Sequence, residues 1–466
     1  MRSRWLVGLL LAVFVVSLVT PAAAGEGDKI VRTKSLTGLP VISTVCQLLG
    51  CQVLGSLDTL PGETSQQSSL FLVRGLVENT VNLLLSLLGV ASIEPDLLVA
   101  IAPEADWASQ QASSHVVDQL WDRAPMTYYG STAWQAYLVQ PASGIVRLPE
   151  THCKLRATGA GTVAVIDTGV DRQHPLLTPV LTAGYDFLGN SSSASEDTSV
   201  GQASSHVVDG EVEWVNPSTA AVVDQASSHV VDDPAHAAYG HGTMVAGAIR
   251  LVSPTAKIMP LKAFGADGQG RTSDVLRAIY FATKKGAKVI NMSFSRATSS
   301  PELKLALDYA SVRGVILVSS AGNDGKSTLV YPAAYDNVIG VASTTNDDTR
   351  SLFSNYGSRL VSIAAPGEAI ITSYPGSSFA AATGTSFSTP IVSGAAALLV
   401  GLRGSATQSQ VLSALSHAKY LTPDLGLGRA DLYRAVLAGR AMWPYAAWSA
   451  VPDSCTYDGQ DWSEAP

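Results

Sequence analysis

From residue 161 onward, short and continuously apolar runs alternate with segments of helical character, and this alternation limits the fold more than any other feature. Val163, Ala164, Val165 and Ile166 form one run, Val289 and Ile290 lead into a second, and Val315, Ile316, Leu317 and Val318 make a third. Runs without a polar face suit strands of a parallel sheet buried on both sides. Between them, Ser273 and Asp274 predict the start of a helix running towards Gly286. Ser300 followed by Pro301 predicts another, a cap residue and then proline at the first helical position, with Gly314 as the stop. The expected fold class is α/β, a doubly wound parallel sheet with helices on both faces. Such sheets place their chemistry at the carboxyl ends of the strands. Asp167, Ser293 and Asn323 each fall at or just after such an end.

Three short strings concentrate the chemistry: Val-Ile-Asp-Thr-Gly at 165–169, Gly-His-Gly-Thr at 240–243 and Gly-Thr-Ser-Phe-Ser-Thr-Pro at 384–390. Their order, Asp then His then Ser, differs from the His, Asp, Ser of chymotrypsin-like enzymes. It differs also from the Ser, Asp, His of α/β-hydrolases, whose G-x-S-x-G elbow is absent around Ser386. Ser386 precedes an apolar run, 391–402, expected as a buried helix. A nucleophile there gains from unpaired N–H groups and the positive end of the helix dipole. His241, between Gly240 and Gly242 and ahead of a small-residue helical face, is the candidate general base. The chain has 8 histidines, and His152, His174, His236 and His417 lack this glycine-flanked setting. Asp167, at the end of a buried strand, would be costly without a partner. Its expected role is to hold His241 in one tautomer and to stabilise the imidazolium. Asp171 reads as more exposed and structural.

On these strings the chain resembles the subtilases, secreted serine endopeptidases of the subtilisin type, across residues 155–437. The resemblance implies that Asn323, within Ser-Ala-Gly-Asn-Asp at 320–324, donates its side-chain amide to the tetrahedral oxyanion. It implies that Ser293, Phe294 and Ser295 form the cleft edge beside the first specificity pocket, with Gly322 and Val330 also binding substrate. An extended peptide would then add to that edge as a strand. Departures matter too. The family usually has Gly where Ser295 stands and, in its best-known members, Gly at the pocket floor where Val330 stands, so cleavage after large aromatic residues is not expected. Met244 stands where many subtilases have a second His, which is not a triad member. After Ala248 the chain lacks the Asn-containing loop of the strong calcium site. The acidic insert offers oxygen ligands of the kind calcium takes, but no loop has recognisable ligand spacing, so no cofactor and no metal site is expected.

The remaining organisation follows from composition. Residues 1–24 have the three parts of a signal peptide: Arg2 and Arg4, an apolar stretch, and Ala22-Ala23-Ala24. The alternative is an uncleaved membrane anchor, for which the stretch is short. Residues 25–105 alternate strand-like runs (29–32, 70–74, 93–99) with a helical run at 77–88. Strand and helix alternating ahead of the catalytic region resemble the subtilases' small α+β prodomain, which would make this unit an inhibitor and folding aid, against the alternative of an unrelated binding domain. Residues 106–154, rich in Trp and Tyr, read as a packed junction and mature N-terminal extension, and 438–466 as a C-terminal tail. An acidic insert, 186–239, separates the Asp and His strings and reads as a solvated surface excursion. It carries two of three identical copies of Gln-Ala-Ser-Ser-His-Val-Val-Asp, at 111–118, 202–209 and 225–232. A net charge of −8 argues against a nucleic-acid partner. The expected partners are protein or peptide substrates and the chain's own prodomain. The expected state is a monomer, extracellular and free of membrane once the signal is removed. Of 4 cysteines, Cys153 and Cys455 flank the catalytic region and are expected to pair. A catalytically silent binding protein on the same scaffold, or a serine esterase, are the rival functions.

Overall fold

A computed structural model of the protein describes residues 27–34, 38–63, 68–76, 90–101, 122–196, 221–222, 238–442, 456–457 and 460–461. The chain divides into two compact units, Met1–Leu98 with Arg271–Phe281, and Val99–Gly270 with Ala282–Pro466. In the first unit, β1 (Lys29–Thr33), β2 (Gln52–Ser56), β3 (Leu70–Arg74) and β4 (Val90–Pro95) form an antiparallel sheet in the order β2-β3-β1-β4. Helix α1 (Gly38–Leu49) buries Ile42 and Cys46 against Val31, Phe71 and Val73, which share one face through the period of two in a strand. Cys46 and Cys51 are joined by a disulfide. The strand expected over 93–99 is split: β4 ends at Pro95, and Leu98–Ala100 is a separate short strand. Between them the carboxylate of Asp96 accepts hydrogen bonds from Ser273 N and Ser273 Oγ, both at 2.8 Å. The helix expected over 77–88 lies outside the described residues.

The second unit is built on a parallel sheet of β5 (Thr162–Asp167), β6 (Tyr185–Asp186), β7 (Lys257–Lys262), β8 (Val289–Met292), β9 (Ile316–Ser320), β10 (Ile339–Thr344) and β11 (Ile363–Pro366). Its order is β11-β10-β9-β8-β5-β7-β6. The chain fills one side of β5 and then crosses to β8 on the other. All strands run the same way, but the order in which the chain adds them reverses beside β5, and in such sheets the crevice lies beyond the carboxyl ends of the strands on either side of that switch, here β5 and β8. Helix α2 (His241–Val252) follows β6, α3 (Pro301–Ser311) follows β8, and α4 (Thr385–Arg403) follows a hairpin of β12 (Ile370–Tyr374) and β13 (Ser378–Ala382). As its sequence predicts, α3 is capped by Ser300, whose Oγ accepts from Leu303 N at 3.0 Å. Such a cap contributes about 1 kcal/mol.

Helix α4 is long and apolar enough to cross a membrane, but it is a core helix, 94% buried over its most apolar window. It packs closely on α2. A Cβ on Gly394 would lie 2.5 Å from Val252 Cβ. The packed segment expected over 106–154 is present from residue 122. A hairpin, Pro125–Tyr128 with Ser131–Trp134, precedes three short helices, Gln135–Val139, Pro141–Ile145 and Leu148–Cys153. Two phenols tie it to α2: Tyr128 donates to Leu251 O at 2.6 Å and Tyr137 to Gly247 O at 2.8 Å. Cys153 is disulfide-bonded, and Cys455 lies outside the described residues. So do the signal segment 1–24, Trp107 and Trp121, all three octapeptide copies, most of the acidic insert, and Trp443, Trp448 and Trp462 of the tail.

His152 lies wholly inside this second unit, its Nε2 2.9 Å from Val252 O. Burial pushes its pKa down from 6.5 to about 4. A depressed histidine favours folding above its unfolded pKa, and that contribution fades as pH falls from 6.5 to 4. We expect stability to drop across this window by on the order of 3 kcal/mol from this group, and this part of the drop to vanish in His152→Leu. Urea unfolding of both proteins at either end of the window, in a Ser386→Ala background, measures it; equal losses would exclude His152 as the source.

Candidate active site

Asp167 closes β5 and is 1% exposed. Its Oδ1 accepts hydrogen bonds from Thr168 N at 2.8 Å and from His241 Nδ1 at 2.8 Å. With Nδ1 donating to the carboxylate, the Nε2 of His241 is left as the acceptor. His241 is the first residue of α2, after Gly240 at φ +82°, and its ring centroid lies 5.4 Å from that of Phe387. The approach that makes this pair possible depends on glycine. A Cβ on Gly242 would lie 2.0 Å from Gly169 O.

Ser386 occupies the first turn of α4 behind Gly384, whose φ of +146° is rare for any residue with a side chain. Pro390, inside the helix, has no N–H to give to the carbonyl four residues earlier, which is that of Ser386. Ser293 supplies the missing donor, its Oγ hydrogen-bonding to Ser386 O at 2.9 Å. In return Ser386 Oγ donates to Ser293 O at 3.3 Å, not to His241. Beneath this exchange, Asn291 Nδ2 donates to Ser293 Oγ and Ser393 Oγ donates to Asn291 Oδ1. Sequence reading missed Asn291 and Ser393; polar residues inside an apolar strand and an apolar helix were the available signal.

Asn323 follows β9. Its Oδ1 accepts from Thr385 N at 3.0 Å and Thr385 Oγ1 at 2.7 Å. Both lone pairs of the amide oxygen are thereby used, which orients the NH₂ end away from Thr385, with no hydrogen bond to any described residue. Ser295 N donates to Ala100 O at 3.1 Å, and Ile101 N donates to Gly268 O at 2.9 Å. Extended chain thus pairs with the Ser295 edge. Val330 is 6% exposed, and its Cγ2 lies 3.5 Å from where a Cβ on Gly322 would sit. It is brought under the same edge by the exchange of backbone hydrogen bonds between Arg296 and Tyr331, at 2.8 and 2.9 Å. Phe294 can belong to that edge through its backbone alone. Its side chain is 1% exposed and packs on Phe264, ring centroids 4.9 Å apart, because alternation along an extended segment turns it inwards between Ser293 and Ser295.

Glu196 also departs from its reading as part of a solvated insert, for it is 5% exposed. Its Oε1 accepts from Thr168 Oγ1 at 3.1 Å, Thr243 N at 3.3 Å and Thr243 Oγ1 at 3.1 Å. Burial pushes its pKa up to about 7, opposed by the Lys262 charge and assisted by that of Asp167. Asp171 behaves as expected, half-buried, with its carboxylate accepting from Gln173 N and Gly376 N. Among the described residues no cluster of three His, Cys, Asp or Glu side chains is placed to hold a metal ion.

The subtilase family model matches residues 159–435. The chain is 33% identical to thermitase of Thermoactinomyces vulgaris over 285 residues, 60% of this chain and 90% of that protein. It is 37% identical to subtilisin BL of Lederbergia lenta over 203 residues, 42% of this chain and 73% of that protein. Among solved structures, a lanthipeptide protease superposes with a TM-score of 0.51 at 21% identity, covering 64% of this chain and 94% of the other, a likeness of fold.

The close contact at Gly242 gives a direct expectation. An alanine there meets a backbone carbonyl, which no rotamer change relieves, so Gly242→Ala should cost at least about 2 kcal/mol. The urea midpoint of the purified variant measures this, and a midpoint equal to wild type would contradict the packing described.

Proposed function

Because the chain belongs to the subtilase family and is a subtilisin-like serine endopeptidase, we propose that Ser386, His241 and Asp167 are its triad, that Asn323 is its oxyanion donor, and that it is made as a secreted, self-processing zymogen. The observation that carries the triad is the buried 2.8 Å bond between His241 Nδ1 and Asp167 Oδ1 beside the first turn of α4. Ser386 Oγ turns from Ser293 O to His241 Nε2 when substrate binds, a tightening common between free and loaded sites. Oγ then attacks the carbonyl carbon of the peptide while its proton passes to Nε2. The negative charge on the substrate oxygen is met by the Asn323 amide and Ser386 N–H. Collapse breaks the C–N bond, Nε2 returns the proton to the leaving amine, and water hydrolyses the acyl-enzyme by the same steps. Asp167 stabilises the imidazolium.

Substrate lies along Ser293–Ser295 as an added strand, a mode supported by the pairing of Ala100 with Ser295. The buried Val330 beside Gly322 shortens the first pocket, so small side chains are preferred at the residue before the cut. The N-terminal α+β unit acts as prodomain, supported by its position between the signal-like segment and the catalytic region. The mature enzyme works as an extracellular monomer on protein or peptide substrates.

Three variants test this reading. Ser386→Ala should lose all reaction with a fluorophosphonate probe and should be secreted as the full-length proprotein; normal maturation of this variant would refute self-processing. Asn323→Ala should lower kcat by about 10²–10³, the magnitude measured for the corresponding donor in subtilisin itself. Val330→Gly should raise kcat/KM for substrates with Phe before the cut, relative to Ala, by roughly tenfold or more. A wild type that labels yet cleaves only esters would favour the esterase reading, and one that does not label would favour a silent binding scaffold.

A further inference from the structure

Three segments converge behind the Asp167–His241 pair: 168–170 after β5, 194–196 at the root of the insert, and the first turn of α2. Val170 N donates to Ala194 O at 3.0 Å, and Asp171 N donates to Thr243 Oγ1 at 2.9 Å. A Cβ on Gly169 would meet Ser195 O at 2.5 Å. Besides Asp167 itself, the one carboxylate that bonds to both the loop after Asp167 and the His241 helix, among the described residues, is that of Glu196. Thr168 Oγ1 accepts from Gly242 N at 3.0 Å, and Thr243 Oγ1 accepts from Asp171 N. Each hydroxyl has therefore committed a lone pair to a backbone N–H and turns its proton to Glu196 Oε1. The other oxygen, Oε2, is buried without a partner.

We propose that Glu196 is a positioning residue for peptide hydrolysis: working through Thr168 and Thr243, its carboxylate locks the Asp167 loop to the His241 helix and favours positive charge on His241. The proposal rests on the reading of His241 as base and Asp167 as its orienting partner. The charged and titratable groups around the carboxylate are few. Asp167 repels it, and Lys262, whose Nζ donates to Thr168 O at 2.8 Å, attracts it. The phenol of Tyr374 on β12 is pushed up mainly by burial, then by Tyr239, with the Glu196 charge adding to the rise. Asp171 turns its carboxylate elsewhere, to Gln173 and Gly376. Near neutrality the Glu196 proton is therefore in play while the three hydrogen bonds to Oε1 persist in either state. Ionised Glu196 makes protonation of His241 easier, and protonated Glu196 makes it harder. The two events are coupled, and the acid limb of the rate profile should be spread over both.

Mature wild type, Glu196→Gln and Glu196→Ala are compared by kcat and KM on a peptide amide from about pH 5 to about pH 10. Glutamine keeps an acceptor in the place of Oε1 and removes the charge. Its acid limb should collapse to a single ionisation and move to lower pH by roughly half a unit to one unit. Alanine removes the clamp, and kcat at the plateau should fall about tenfold or more while KM stays within about twofold. A Glu196→Gln limb superimposable on wild type, or a Glu196→Ala loss confined to KM, overturns the proposal. Should Glu196→Ala fail to fold, the Glu196→Gln limb decides alone. Failure of the underlying reading looks different, since wild type would then turn over substrate no faster than Ser386→Ala.

Discussion

A carboxylate at the end of a buried strand persists only if donors meet it, and the surroundings of Asp167 are organised around that requirement. One donor, Thr168 N, comes from its own loop; the other, His241 Nδ1, comes from a helix that starts 74 residues later in the chain. Bringing that helix close enough calls for backbone against backbone, which the absence of a side chain at Gly242 allows, since a Cβ there would lie 2.0 Å from Gly169 O. The hydrogen bond that satisfies the carboxylate also fixes the imidazole tautomer. Satisfying the carboxylate and orienting the imidazole are achieved by the same contact.

A second constraint comes from α4. A helix so thoroughly buried has no water to satisfy its backbone, so every missing intrahelical bond needs a partner from the protein. Pro390 leaves the carbonyl of Ser386 free, and Ser293 Oγ takes it. The strand end of β8 is thereby pinned to the backbone of Ser386, and the chain Ser393–Asn291–Ser293 carries that anchoring into the sheet. Thr385 does the same on the other side, holding the Asn323 oxygen so that its amide hydrogens are presented outward. The edge that pairs with Ala100 and the turn that carries Ser386 are therefore joined by hydrogen bonds from both sides.

The segment ahead of β5 contributes through α2. Its two phenols bond to carbonyls of that helix, at Gly247 and Leu251, while Gln140 donates to Ile371 O and accepts from Ile371 N. Fixing α2 from behind fixes the position of His241 in front. At the root of the insert, Glu196 fixes the same helix from its N-terminal side. Between these two supports the imidazole has little freedom to drift from Asp167.

The sequence by itself determined the doubly wound sheet, the order of the Asp, His and Ser strings, and their placement at strand and helix ends. These are local properties: continuous apolar runs at Val163–Ile166 and after Val315, a cap followed by proline at Ser300 and Pro301, and glycines flanking His241. Each is written in a few adjacent residues, and the structure agrees with them. The break in the strand at Pro95, the inward turn of Phe294 and the burial of Glu196 were not legible there. Glu196 sits among serines, an aspartate and a threonine, a composition that reads as solvated; what buries it are donors on Thr168 and Thr243, 28 and 47 residues away. Nor did any local pattern link Pro390 to Ser293. Burial and hydrogen-bond partnership are properties of two segments at once, so they exist only after the sheet has brought distant strand ends to one edge.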